Sequence, residues 1–152
     1  MESLRCGIRE YTDLIDIQVR KLKELGLKIT PQRLAVLDFL DGNTSHPSAA
    51  DIYLSLRKEY PSMSMATVYN TVDVLAKNGL LLELPITKDR MNYDPDTSEH
   101  DHAFCSRCGR IFDVFPDGAA GVPATRAAEL DGFRVVAVRK VYYVVCKDCE
   151  GK

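Results

Sequence analysis

The 152-residue sequence predicts an α+β chain in two parts, a helical N-terminal half ending in a short hairpin and a strand-rich C-terminal half. Three observations carry this. Apolar residues recur at helical spacing between residues 13 and 78, with a capping or breaking residue at each interruption. Beyond residue 80 the spacing becomes strand-like. Two Cys-x-x-Cys pairs, Cys105/Cys108 and Cys146/Cys149, bracket the second half.

The elements follow in order. Asp13 to Leu25 carries Leu14, Ile17, Leu22 and Leu25 on one helical face, and Gly26 ends it. Thr30 is placed to cap a second helix whose first residue is Pro31, where a missing N–H costs nothing. Leu34, Leu37 and Leu40, with Val36 and Phe39 beside them, give it a buried face, and Asp41-Gly42-Asn43 stops it. A third helix follows His46-Pro47, capped by Ser48, with Ile52, Tyr53, Leu56 and Tyr60 as its stripe and Pro61 as its end. A fourth runs from about Ser64 to Asn78 on Met65, Val68, Val72 and Leu75, with Gly79 at the position of a left-handed C-cap. Leu80 to Leu84 and Met91 to Tyr93 read as a hairpin around the turn 85–90. Three helices and a hairpin make a winged helix-turn-helix, whose last helix normally enters the major groove of DNA. Residues 1–93 are therefore read as a DNA-binding domain, 94–102 as a polar hinge, and 103–152 as a second domain. In that domain Ala103 to Phe115 reads as a strand around the first cysteine pair, Ala119 to Leu130 as a helix, and Phe133 to Val145 as a strand.

Composition narrows the function without naming it. The net charge is −2, with residues 1–90 balanced and 91–152 slightly acidic, so DNA contact would depend on a local basic surface. Apolar runs are too short for a membrane span, and residues 1–10 lack the apolar core of an export signal, which implies a cytoplasmic protein without membrane partners. Five cysteines are present. In a reducing compartment the paired four read as zinc ligands before disulfides, because two knuckles supply the corners of one tetrahedron. Such a site is structural and closed to chemistry. Cys6 reads as an incidental thiol. Only three histidines occur, His46, His100 and His102. In extended chain His100 and His102 point to the same side and can share a metal. Spacing alone does not bring His46 to them, and the acidic stretch from Asp94 to Asp101 alone reads as a solvated hinge.

Five stretches occur in an order that resembles the ferric uptake regulator (Fur) family: ITPQR at 29–33, HPSAADIY at 46–53, ATVYNTV at 66–72, HDHAFCSRCGRI at 100–111 and CKDC at 146–149. The resemblance implies a winged helix joined to an α/β dimerisation domain, a homodimer, and double-stranded DNA with a palindromic operator as partner. It implies a structural Zn²⁺ on Cys105, Cys108, Cys146 and Cys149. It implies a regulatory Fe²⁺ or Mn²⁺ on His46, Asp94, His100, His102 and Asp113. Asp113 and Asn70 make the chain most similar to the peroxide-sensing (PerR) branch, where iron-uptake regulators tend to carry glutamate and arginine.

Three imidazoles and two carboxylates suit Fe²⁺ or Mn²⁺ better than thiolates do. Tyr69 and Asn70 are the expected base readers, since asparagine matches adenine N6/N7 and an aromatic ring packs on a thymine methyl. Lys77, Lys88 and Arg90 are expected to reach the DNA backbone, and Thr67 is expected among the DNA-binding residues. An iron-uptake or zinc-uptake regulator is the alternative function. A zinc deaminase is disfavoured because the segment reads His-Asp-His, with Phe104 before the first cysteine, where that chemistry needs H-x-E and P-C-x-x-C. No H-E-x-x-H or nucleophile elbow is present, so no enzymatic activity is expected. A zinc module for protein interaction alone leaves the winged helix unexplained.

Overall fold

The structure is a computed structural model that describes residues 16–115 and 138–151. By contacts the chain divides into two compact units, Met1–Thr97 and Ser98–Lys152.

In the first unit, α1 covers residues 16–24, followed by α2 (Pro31–Leu40), α3 (Ala49–Leu56) and α4 (Met65–Lys77). The predicted caps form. Thr30 Oγ1 accepts from the Arg33 N–H at 3.3 Å. Ser48 and Asp51 close a reciprocal capping box, with the Asp51 N–H to Ser48 Oγ at 3.2 Å and the Ser48 N–H to Asp51 Oδ2 at 2.9 Å. Ser64 Oγ takes the Thr67 N–H at 3.0 Å. Each such cap contributes about 0.5–2 kcal/mol. Gly79, at φ +69°, ends α4, with its N–H on Ala76 O and the Leu80 N–H on Leu75 O. Satisfying two end carbonyls this way needs the left-handed backbone that glycine adopts without strain.

The helices bury Leu22, Val36, Ile52, Val68 and Val72 completely in one cluster with Leu40, Leu75 and Tyr93. Each fully buried aliphatic side chain contributes about 1.5–3 kcal/mol before chain entropy is counted. The hairpin pairs β1 (Leu82–Leu84) antiparallel to β2 (Asn92–Asp94). β2 reaches back to the chain before α3 through an Asn92–Ser48 bridge and a 2.9 Å bond from the Tyr93 N–H to Pro47 O.

In the second unit β3 (Asp101–Cys105) is the central strand, antiparallel to β4 (Ile111–Val114) and parallel to β5 (Val141–Val144). The single strand expected over Ala103–Phe115 is thus a hairpin whose turn is the first cysteine knuckle. The strand expected over Phe133–Val145 is Val141–Val144 among the described residues. The segment 94–102 ends β2 and begins β3, because ladder hydrogen bonds sustain strand in polar sequence that lacks an apolar alternation. The helix expected over Ala119–Leu130, residues 1–15 with Cys6, and residues 133–137 lie outside the described residues. Among those described, no helix is long and apolar enough to cross a membrane.

Candidate metal centres and nucleic-acid interface

The four paired cysteines meet at one end of the second unit. Cys105 ends β3, and Gly109 at φ +73° turns the chain so that its N–H bonds Cys105 O at 2.8 Å. Cys146 precedes, and Cys149 ends, a 3-10 turn after β5. A zinc tetrahedron with bonds of about 2.3 Å sets its sulfurs about 3.8 Å apart. Cys108 and Cys146 Sγ are 3.7 Å apart, and all four sulfurs lie within 4.8 Å of one another. The residues fit the ion.

Backbone and side-chain donors surround the sulfurs. The Cys105 thiol is held down to about 6, first by the Cys146 N–H and then by that of Cys108. The Arg110 guanidinium lowers Cys108. Hydrogen bonding with Cys146, and then burial, pushes Cys149 up to about 12. Arg110 spans the two knuckles, with Nε 3.4 Å from Cys108 Sγ and Nη2 3.4 Å from Cys146 Sγ, and it also pairs with Asp148. Arg107 Nη1 donates to Cys149 O at 2.9 Å. A cation shared by one thiol of each knuckle would offset the excess negative charge of a tetrathiolate zinc centre. Nothing in the cysteine spacing announces this role for Arg110.

The histidines and carboxylates are carried by both units. In the first unit His46 precedes α3 and Asp94 ends β2, with His46 Nε2 3.7 Å from Asp94 Oδ2 and both residues buried. Asp94 Oδ1 accepts the Asp96 N–H at 2.8 Å, which orients the carboxylate. His46 sits at φ +50°, a region that costs a non-glycine residue about 1–3 kcal/mol and persists where surrounding structure enforces it.

In the second unit His100, His102 and Asp113 converge. The two imidazole Nε2 atoms are 3.1 Å apart, and Asp113 Oδ1 lies 3.5 Å from His100 Nε2 and 3.8 Å from His102 Nε2. Two nitrogens bound at right angles about 2.1 Å from one ion would be about 3.0 Å apart. His100 Nδ1 lies 3.0 Å from Ser98 O, a bond that places the proton on Nδ1 and leaves the Nε2 lone pair for a ligand. His102 and Asp113 are cross-strand neighbours in the β3–β4 register, which the sequence could not announce.

On α4 the buried positions Val68, Thr71, Val72 and Leu75 fix the rotation of the helix. At about 100° per residue, Asn70 points about 150° from the centre of that face, along with Ala66, Asp73 and Lys77. Asn70 is exposed, and Tyr69 is 52% exposed on the flank, as expected. Thr67 is half-buried, and its hydroxyl lies 2.8 Å from Ser64 Oγ. Lys77 Nζ lies 2.7 Å from Asp73 Oδ2, so a carboxylate stands on the outward stripe beside a basic residue. Arg90 reaches Asp51 at 3.9 Å, and Lys88 is exposed in the hairpin turn. Burial first, and then the neighbouring Glu83, Tyr69 and Asp73 groups, raises the Tyr93 phenol.

Comparison with known proteins identifies relatives of the chain. The chain is 43% identical over 131 residues to the peroxide operon regulator of Bacillus subtilis, covering 86% of this chain and 90% of that one. Its fold superposes on the Campylobacter jejuni peroxide stress regulator with TM-score 0.67 at 36% identity, covering 86% and 98% of the two chains. It also superposes on the Helicobacter pylori ferric uptake regulator with TM-score 0.75 at 25% identity, covering 93% and 94%. The sequence profile described as the ferric uptake regulator family matches residues 24–143, and the chain belongs to that family.

Proposed function

We propose that this protein is a metal-dependent, peroxide-responsive transcriptional repressor that binds a palindromic operator as a homodimer in the cytoplasm. The observation that carries the reading is the division of the ligands. His46 and Asp94 belong to the helical unit that bears α4, while His100, His102 and Asp113 belong to the sheet unit. In this reading all five serve one regulatory ion, Fe²⁺ or Mn²⁺, and the four cysteines hold a separate structural Zn²⁺.

The work of the chain follows from where the donors sit. A ligand set split between two units ties the orientation of the DNA-reading helix to occupancy of the site, and ligands that favour one arrangement shift the population toward it. A bias of about 5.5 kcal/mol carries an equilibrium from almost wholly one arrangement to almost wholly the other. Two α4 helices fixed in a symmetric dimer then match two half-sites one helical turn, or a multiple, apart. Iron held there would supply redox chemistry toward peroxide, one peroxide oxygen passing to a ligand imidazole and the other leaving as water. His46 and His100 are the residues that would receive it. An oxidised imidazole is a poor donor, so the units uncouple and repression ends. Similarity to the B. subtilis and C. jejuni peroxide regulators supports this branch over iron or zinc uptake control.

Operator titration tests the reading. Mn²⁺- and Fe²⁺-loaded protein should both bind a selected operator, and peroxide should release the iron form alone. Iron-loaded protein that keeps full operator affinity after peroxide would sink the peroxide reading.

A further inference from the structure

We propose that Asn92 is a positioning residue that holds the His46 backbone in its left-handed conformation and so aims the His46 imidazole at the regulatory metal. The inference rests on the reading of His46 as a ligand given above.

His46, at φ +50°, is the one non-glycine residue with positive φ among the described residues, and it is 1% exposed. A histidine in that region relaxes toward extended backbone unless its neighbours prevent it. Two contacts hold residues 46–48 against β2. Asn92 Nδ2 donates to His46 O at 2.7 Å, and Asn92 pairs with Ser48 as a β-bridge that includes the 2.9 Å bond from the Tyr93 N–H to Pro47 O. Only the first depends on a side chain, and of the two it is the one that acts on the carbonyl of His46 itself.

Asn92 is an expensive residue to place there. It is 3% exposed, and its Oδ1 is buried with no hydrogen-bond partner among the described residues. Leucine of similar size would remove the unpartnered Oδ1 but would also take the donor from His46 O, so the one bond to His46 O is what sets asparagine apart from an apolar residue. The same bond fixes the amide orientation, since a flipped amide would set oxygen against oxygen. Asp94, two residues along β2, presents Oδ2 at 3.7 Å from His46 Nε2. One three-residue strand therefore supplies both the backbone hold and the carboxylate that faces the ring.

The test uses the full-length zinc-containing protein, with Asn92→Leu as an isosteric variant lacking the donor and Asn92→Ala as a smaller one. Mn²⁺ affinity is measured by competition with a fluorescent chelator. Zinc content and circular dichroism establish that each variant is folded. Fe²⁺-loaded samples are exposed to peroxide, and the oxygen on the His46 peptide is compared with that on the His100 peptide by mass spectrometry. Loss of an outer-shell partner lowers metal affinity about 10- to 100-fold. Both variants should show that drop, and the share of oxygen on His46 relative to His100 should fall. Folded variants with Mn²⁺ affinity within about twofold of wild type overturn the proposal. An affinity loss with an unchanged oxidation ratio also overturns it, because a purely structural defect lowers both peptides together. Wild-type protein that takes no oxygen retires the peroxide reading and leaves the Mn²⁺ comparison to decide the role of Asn92. Unchanged Mn²⁺ affinity in His46→Ala retires the ligand assignment itself.

Discussion

Replacing Asn70 with alanine should cost operator preference without costing the fold. Asn70 is exposed on the outward stripe of α4, while Val68, Thr71 and Val72 are fully buried and lock the rotation of the helix. Alanine is the better helix former by roughly half a kcal/mol, so α4 should be no less stable. A bidentate amide-to-adenine pair discriminates by about 1–3 kcal/mol, and a two-fold dimer applies it at both half-sites, about 2–6 kcal/mol in all. At a factor of ten per 1.4 kcal/mol, operator affinity should fall by about 30-fold to 10⁴-fold. Binding to a scrambled duplex should change little, because the phosphate contacts are untouched. Fluorescence anisotropy of Mn²⁺-loaded protein on selected and scrambled duplexes at fixed salt measures both. Equal loss on the two DNAs would refute the base-reading role and leave Asn70 as a general surface contact.

Asp73 gives the complementary case. Asp73→Asn releases Lys77 from its 2.7 Å partner and removes a negative charge from the outward stripe, so scrambled-DNA affinity should rise and its salt dependence steepen. An unchanged salt slope would place α4 differently on the duplex. Arg110→Ala removes the cation shared by Cys108 and Cys146, and zinc transfer to a chromophoric chelator should speed up by about tenfold or more, with Arg110→Lys intermediate. Equal rates in all three proteins would show that the guanidinium does not support the centre. The depressed Cys105 thiol gives a sign for acid. With a folded value near 6 against a reference of 9.0, its stabilising contribution is complete above about 9 and disappears as pH falls through about 6. Zinc affinity, followed by competition, should therefore fall more steeply below about pH 6, where Cys105 takes up a proton that metal must displace. A slope that does not change there contradicts the assignment.

Much of this was legible in the chain because the signals are local. Thr30, Ser48 and Ser64 announce helix starts through bonds that reach only three residues, and Gly79 announces an end through backbone geometry. Cys-x-x-Cys pairs and the His-x-His pair carry their spacing in the sequence. What stayed hidden depends on long-range register. Asn92 lies 46 residues from His46, and Arg110 lies 36 from Cys146. No periodicity marks a buried asparagine in a strand, because the pattern assigns apolar residues to the core. Polar residues 94–102 read as a hinge for the same reason, although their ends belong to strands held by ladder hydrogen bonds. Asp73 carries no signal in the sequence, because its meaning comes from the direction in which α4 faces, and that direction is set by burial of four other residues.

Peroxide sensing through a histidine ligand is tested most directly by mass spectrometry of Fe²⁺-loaded protein after brief peroxide exposure, with Mn²⁺-loaded protein as control. One added oxygen is expected on the peptide carrying His46 or His100, with iron alone. Absence of that oxygen, with iron-dependent operator binding intact, would contradict it and move the protein to the iron-uptake branch of its family.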